Sequence, residues 1–410
     1  MNNNLFSKIF IAVTLVASLC FSSCKDNTVN TDNLLIWDFD MAVKNAQTIP
    51  LSRYAKDLRY IPLETSNSSL IGRIAQVENV DDKIFIRTTI PGKEEVIVFS
   101  PDGKYIKTLN KFGRGPGEYI RLCGMCIEED NNNLVTLFSG NKLLSYDINS
   151  EKLVRETPLD TIAKIIGRYM VQVAKNATYM GNGKYFFEYK APMEGSSEDD
   201  VASFCIIDTL GNIIKNNFAK KDNYHVGCKN IMKYDDNLIW SQVKNDTIYR
   251  ITDNLELTPH CVITNVDIYK NRGKGRGSIS MRTQLGTELF ECDHFMTVGV
   301  NIEGMKGVFP DKIYKDGAKN AHTILLYDKT TKKSVLVFNR ESIYKYGFTN
   351  DIDHGMPFYP RFYSKNKLYD YVSAASFIEY AEKMGCQPLK RIAATLNEES
   401  NPVLVEVTLR

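Results

Sequence analysis

The chain has 410 residues, 43% apolar and 24% charged, with 51 basic against 49 acidic side chains. That is enough apolar mass for a sizeable core in one large domain or two to three small ones. A formal charge of +2 supplies no global field to draw nucleic acid or an anionic bilayer, so neither is expected as an electrostatic partner.

The first 24 residues read as a signal peptide. Lys8 supplies the positive charge, and Ile9 to Phe21 is a mostly apolar run, too short at about 1.5 Å per residue to span a bilayer comfortably. Phe21-Ser22-Ser23-Cys24 then resembles a bacterial lipobox, with Phe where that motif usually has Leu, and the chain turns polar at Lys25. The resemblance implies that Cys24 is lipidated and that the mature chain meets its membrane through that lipid, with residues 25–33 as a polar tether. The alternative is plain secretion after cleavage near Ser23. Farther on, no apolar run approaches the ~18 residues of a membrane helix.

Five stretches of the mature chain repeat one pattern: a β-rich run, a turn built on Asp, Asn or Gly, and a second β-rich run. They are residues 96–109, 144–159, 204–218, 247–263 and 323–338, each a hairpin by its own turn chemistry. Upstream of most lies another hairpin, such as 76–80 with 83–87 or 231–234 with 237–243. Two hairpins make a four-stranded meander of roughly 45–60 residues, the size of a propeller blade.

Proline placement agrees. Pro158 and Pro259 fall in the last strand of a unit, where a missing N–H is tolerated if the strand is an edge. Pro62 marks residues 58–63 as another outer strand, with no inner partners before it. The alternating run 403–409 has nothing after it. Joining the two closes the ring. The expected fold class is therefore all-β: a six-bladed β-propeller of four-stranded antiparallel blades, closed by the N- and C-terminal strands. Seven blades stay open, because residues 264–322 are long and irregular. The domain reading is 1–24 signal peptide, 25–57 tether and N-terminal segment, and 58–410 propeller.

Near the C-terminus the spacing turns helical. Phe377, Ile378, Ala381 and Met384 share a face, Ser376 and Glu379 are spaced as a capping box, and Gly385 reads as the stop. A second short helix has Pro388 near its first turn. Both are expected as a small helical insertion in the last blade. Setting aside Cys20 and Cys24, seven of the nine cysteines are scattered through the mature chain, which is not a disulfide framework. Cys123-Gly-Met-Cys126 lies on an expected strand, where an offset of three sends the side chains to opposite faces, so it reads as buried structure.

A family resemblance emerges from four ordered motifs. Residues 112–119, with Gly113-Arg114-Gly115-Pro116-Gly117-Glu118-Tyr119, resemble the connection between blades in NHL-like propellers. Asn350-Asp351-Ile352-Asp353-His354-Gly355-Met356-Pro357-Phe358 resembles a segment of a group of six-bladed, NHL-like or TolB-like propeller lipoproteins from Gram-negative anaerobes, with His354 where that group has Gly. Residues 60–65 and 401–405 resemble the start and end of that group's propeller. The resemblance implies the fold and a lipid-anchored address in the cell envelope, at the outer membrane. The family has no known function, so it implies no catalytic residues.

Ligands of propellers usually meet loops at one mouth of the central channel. Arg114, Glu118 and Tyr119 on one connection, and Asn350, Asp351, Asp353 and His354 on another, are the candidate ligand-binding residues. For the first set the competing reading is a tight turn in which Glu118 accepts backbone N–H bonds. For the second, Asp351 and Asp353 are candidate calcium ligands, against a turn held by side-chain-to-backbone bonds. Arg272-Gly273-Lys274-Gly275-Arg276-Gly277-Ser278 lacks the GK[ST] of a phosphate loop and reads as a basic loop. No HExxH or GxSxG occurs. The function expected is a lipid-anchored envelope propeller that binds a small-molecule, glycan or protein ligand without catalysis and without nucleic acid; no cofactor is expected, and calcium is the one kept open. The alternatives are a calcium-dependent, lactonase-like hydrolase with its site at the channel, and a structural subunit of an envelope complex.

Overall fold

The computed structural model describes residues 34–80, 82–90, 93–109, 112–130, 134–139, 142–150, 152–160, 174–189, 200–220, 231–241, 246–266, 289–303, 320–338 and 347–410. Cys20, Cys24, Cys228 and the basic loop at 272–278 lie outside these residues.

Six antiparallel sheets follow one another along the chain. Blade 1 is a meander of Arg73–Val80, Lys83–Ile90, Lys93–Phe99 and Tyr105–Leu109. Blades 2 to 5 repeat that order over residues 122–158, 174–220, 231–264 and 290–337. Blade 6 takes three strands from the C-terminal part, Phe362–Ser364, Lys367–Val372 and Val403–Leu409, and its outer strand, Ala55–Pro62, from the N-terminal part. The ring therefore closes as the sequence suggests, with Leu58 opposite Val407 and Pro62 opposite Val403. Six blades, not seven, account for the described residues.

The core sits between blades, because each sheet is apolar on both faces. Phe85, Val96 and Val98 of blade 1 pack with Met125, Leu137 and Leu144 of blade 2. Phe186, Phe204 and Ile206 of blade 3 meet Leu238, Trp240 and Ile251 of blade 4. Each large side chain so buried contributes about 1.5–3 kcal/mol. Cys126 and Cys205 belong to the blade 2–3 interface. Burial pushes the Cys126 thiol well above its ordinary range, so it is an unreactive packing residue. The backbone of Cys123 falls at a register shift between Leu122 and Gly124.

Pro259 does not lie on a bare edge. Leu35–Asp38 adds a fifth strand outside Leu257–Thr264 in blade 4. Proline is accommodated there by a bulge: Ile248 faces Cys261 while Tyr249 faces Pro259, which leaves His260 as the extra residue. The chain then forms helix α1, Phe39–Lys44, capped by Asp38 accepting the Met41 N–H at 3.0 Å. It pairs Gln47 with Val337 of blade 5 and Pro50 with Thr349 before entering blade 6. Trp37, Phe39 and Ala42 are fully buried along this strap.

The helical insertion lies between the second and third strands of blade 6, as α2 (Ala374–Met384) and α3 (Gln387–Ala393). Its cap differs from the one expected. Ser373, not Ser376, is the N-cap and accepts the Ser376 N–H at 3.2 Å. The preceding strand ends at Val372, so the first residue free to leave extended geometry takes the cap. Gly385 ends α2 at φ +69°, a conformation that suits glycine.

Candidate functional site

The first strand of each blade faces the axis, and together these strands enclose a channel cavity of about 270 Å³. Its wall mixes polar and apolar side chains. Gln76 of blade 1 bridges to blade 2, donating to Met125 O at 2.6 Å and accepting Met125 N–H at 3.1 Å. The same amide donates to Glu78 at 2.9 Å, and Ser364 of blade 6 donates to the other Glu78 oxygen at 3.0 Å. Arg87 donates to Leu122 O at 3.3 Å. Glu129 of blade 2 and Lys233 of blade 4 pair at 3.2 Å, past the intervening blade 3. The channel carboxylates are thus met by donors of the ring itself.

Blade 6 presents a different set. Arg361, Phe362, Tyr363, Ser364 and Lys365 all line the channel. The Arg361 Nε donates to Asp370 at 2.8 Å, and its guanidinium lies 4.9 Å from the Tyr371 ring centre. Burial, with Cys292, Asp293 and Glu129 nearby, pushes the Tyr363 phenol up to about 12, so it is a neutral donor at physiological pH. Lys365 sits in the turn between paired Ser364 and Lys367, at φ +54°. Blades 1, 3 and 4 place Asp82, Asn182 and Asp235 in this conformation at the corresponding turn, the residue types that tolerate it best. Blade 6 places a lysine there.

Elsewhere buried carboxylates serve as clamps. Glu128 accepts from Arg155 at 2.7 Å, Ser145 at 3.2 Å and Tyr185 of blade 3 at 2.5 Å, and also from Thr136. Glu406 accepts from Arg59 at 2.6 Å and Tyr369 at 2.9 Å. Asp328 accepts from Arg53 at 2.6 Å and Tyr54 at 2.7 Å. Each combines one carboxylate, one arginine and one tyrosine drawn from separate strands or from the strap. A buried charge needs that many donors to offset its lost hydration.

The candidate residues named from sequence fall in two places, neither among the residues lining the channel. In the connection from blade 1 to blade 2, Glu118 accepts the Gly115 N–H at 2.7 Å. Tyr119 is buried and donates to Glu94 O at 3.1 Å. Arg114 is exposed. A Cβ on Gly113 would lie 2.0 Å from the Glu118 carboxylate, so the glycine is there to let that turn close. The segment around 350 fastens three parts of the fold. Asp351 accepts from the backbone N–H of Ser52 at 2.9 Å and from its hydroxyl at 2.5 Å. Asp353 accepts from Asn350 at 2.6 Å and from Gly355 N–H at 2.9 Å. Asn350 also donates to Tyr60 at 3.1 Å, while Tyr380 and Cys386 of the insertion donate to Gly355 O and Asp353 O. His354 is exposed at φ +57°, a conformation that glycine meets without strain. Among the described residues, no group of three or more His, Cys, Asp or Glu side chains is placed to hold a metal ion.

Sequence reasoning passed over the channel wall although it placed a hairpin at 76–80 with 83–87 and another at 231–234 with 237–243, which the structure describes as far as Ser241. The available signal was position: the inner strand of each blade, just before its first turn.

These features define a six-bladed β-propeller with an axial channel of mixed polar and apolar wall, fastened by an N-terminal strap. The chain belongs to the family described as Domain of unknown function (DUF4934), which it matches over residues 34–408. No curated protein matches it. Among solved structures it is similar to a Bacteroides fragilis protein described as exported, at 16% identity and a TM-score of 0.62, covering 92% of this chain and 99% of that one. A streptogramin B lyase is similar at 11% identity and a TM-score of 0.41, covering 86% and 98%. PorZ of Porphyromonas gingivalis, a surface component of the type-IX secretion system, is similar at 10% identity and a TM-score of 0.38, covering 74% and 32%.

Proposed function

We propose that this protein is a binding module of the cell envelope, lipid-anchored at Cys24 on the outer membrane, that takes its ligand in the central channel. The observation that carries the reading is the channel wall, polar side chains drawn from separate blades around a cavity of about 270 Å³. Hydrogen-bonding groups arranged around a concave site are what a specific small-molecule pocket requires. The lipobox-like Phe21-Ser22-Ser23-Cys24 supports the anchor. Among the described residues no helix is long and apolar enough to cross a membrane. The exported description of the Bacteroides fragilis protein fits an envelope address.

The test uses the full chain purified in detergent and its Thr178→Trp variant, whose added ring would fill the channel beside Thr178. Thermal shifts are recorded against sugars, uronic acids, amino acids and short peptides. A compound that raises the melting temperature of the wild type and not of the variant supports the reading. Equal shifts in both proteins, or no shift from any compound, count against it. For the anchor, labelling with a fatty-acid precursor should mark the wild type and spare Cys24→Ser; equal labelling would remove that part.

A further inference from the structure

The groups of the channel wall divide by whether the fold uses them. Glu78 is taken by Gln76 and Ser364, and Glu129 by Lys233. Each of these carboxylates already has a donor within the ring. On blade 6 the balance is reversed. Arg361 spends Nε on Asp370, and among the described residues its two terminal NH₂ groups have no partner. Among the described residues neither the Lys365 ammonium nor the Tyr363 hydroxyl has one.

Arg361, Tyr363 and Lys365 come from just before the inner strand of blade 6, from the strand itself and from the turn after it, and all three line the cavity. A guanidinium edge, a phenol and an ammonium, all donors, therefore stand together at the wall of a cavity. The Tyr371 ring and the Asp370 bond hold the guanidinium of this lining residue and leave its terminal NH₂ fork for a ligand. A fork held in this way matches two oxygens of one planar or tetrahedral anion.

We propose that the channel binds a small ligand through an oxyanion, a carboxylate or a phosphate, received by Arg361, Tyr363 and Lys365. This rests on the channel being the ligand site. The carboxylates of the wall do not cancel the attraction, because Glu78 and Glu129 are outnumbered among the lining residues by Arg87, Lys233, Arg361 and Lys365.

Isothermal titration of the full chain in detergent, with glucuronate, glucose 6-phosphate and glucose as probes, tests it. At least one acid is expected to bind, more weakly as salt is raised, and glucose is expected not to. Binding of glucuronate alone assigns a carboxylate site, and of glucose 6-phosphate alone a phosphate site. Lys365→Ala and Arg361→Gln should each weaken the acid by about tenfold or more. Lys365 is exposed, so its variant folds even if Arg361→Gln is destabilised by loss of the Asp370 bond.

Three outcomes would overturn the proposal: no binding of either acid, glucose binding as tightly as the acids, or affinity unchanged in Lys365→Ala. Glucose binding that disappears in Thr178→Trp would do so while keeping the channel as the ligand site. Acid binding that persists in Thr178→Trp would instead remove the channel reading itself.

Discussion

The connection that leads into blade 6 and the inner strand of that blade, with the turn after it, differ in an instructive way. Residues 350–355 are dense in polar groups, and nearly all of them are spent: Asp351 on Ser52, Asp353 on Asn350 and Gly355, Asn350 on Tyr60. Residues 361–365, a few positions on, look ordinary, yet among the described residues two cationic ends and a phenol at the channel wall have no partner. Polar density therefore marks a fastening as readily as a site. What separates them is whether the fold already supplies each group with a partner.

The buried clamps set the upper end of what a fastening is worth. Arg155→Ala would strand Glu128 in a dry interface, and the expected loss is about 3–5 kcal/mol, read by urea unfolding. A loss below 1 kcal/mol would show that water reaches the carboxylate. Next comes the 350 segment: Asn350→Ala leaves Asp353 and Tyr60 short of a partner and should cost about 1–3 kcal/mol. Acid binding in the channel should remain unchanged by it. If that affinity fell at unchanged stability, the contrast between the two segments would collapse.

Acid should act through the clamps as well. Burial raises the Asp328 carboxyl, but hydrogen bonds from Thr331 and Tyr54 and the charge of Arg53 outweigh it, and the net shift is downward. A depressed carboxylate contributes stability that is present above its unfolded value near ~3.9 and is lost as pH falls through the lower folded value. Melting temperature should therefore drop on the acid side of about pH 4 more steeply for wild type than for Asp328→Asn. Parallel curves would remove Asp328 from the account. EDTA should move the melting temperature least of all, because Asp351 and Asp353 are already met by N–H and O–H donors. A drop in EDTA that calcium reverses would show that these carboxylates do hold an ion.

The legible part of the fold was its local part. Hairpins were readable from turn chemistry and alternation because the paired strands are close in sequence, and the closing strand was betrayed by Pro62 and by the unpartnered run 403–409. The Ser373 cap was missed by three residues, since Ser376 offers the same chemistry and only the end of the preceding strand decides between them. The strap was not legible. Trp37 and Phe39 are buried against partners more than two hundred residues away, as the contact of Thr264 with Trp37 O shows.

The candidate site divides in the same way. The sequence by itself determined the hairpin units, the pairing of its two end strands that closes the ring, and the motifs that carry the family resemblance. Only the tertiary structure decided which polar groups are left over. Ser52 meets Asp351 across 299 positions and Ser364 meets Glu78 across 286. A hydrogen bond of a few ångströms between residues so far apart depends on where closing the ring places them. Composition and spacing carry no record of that.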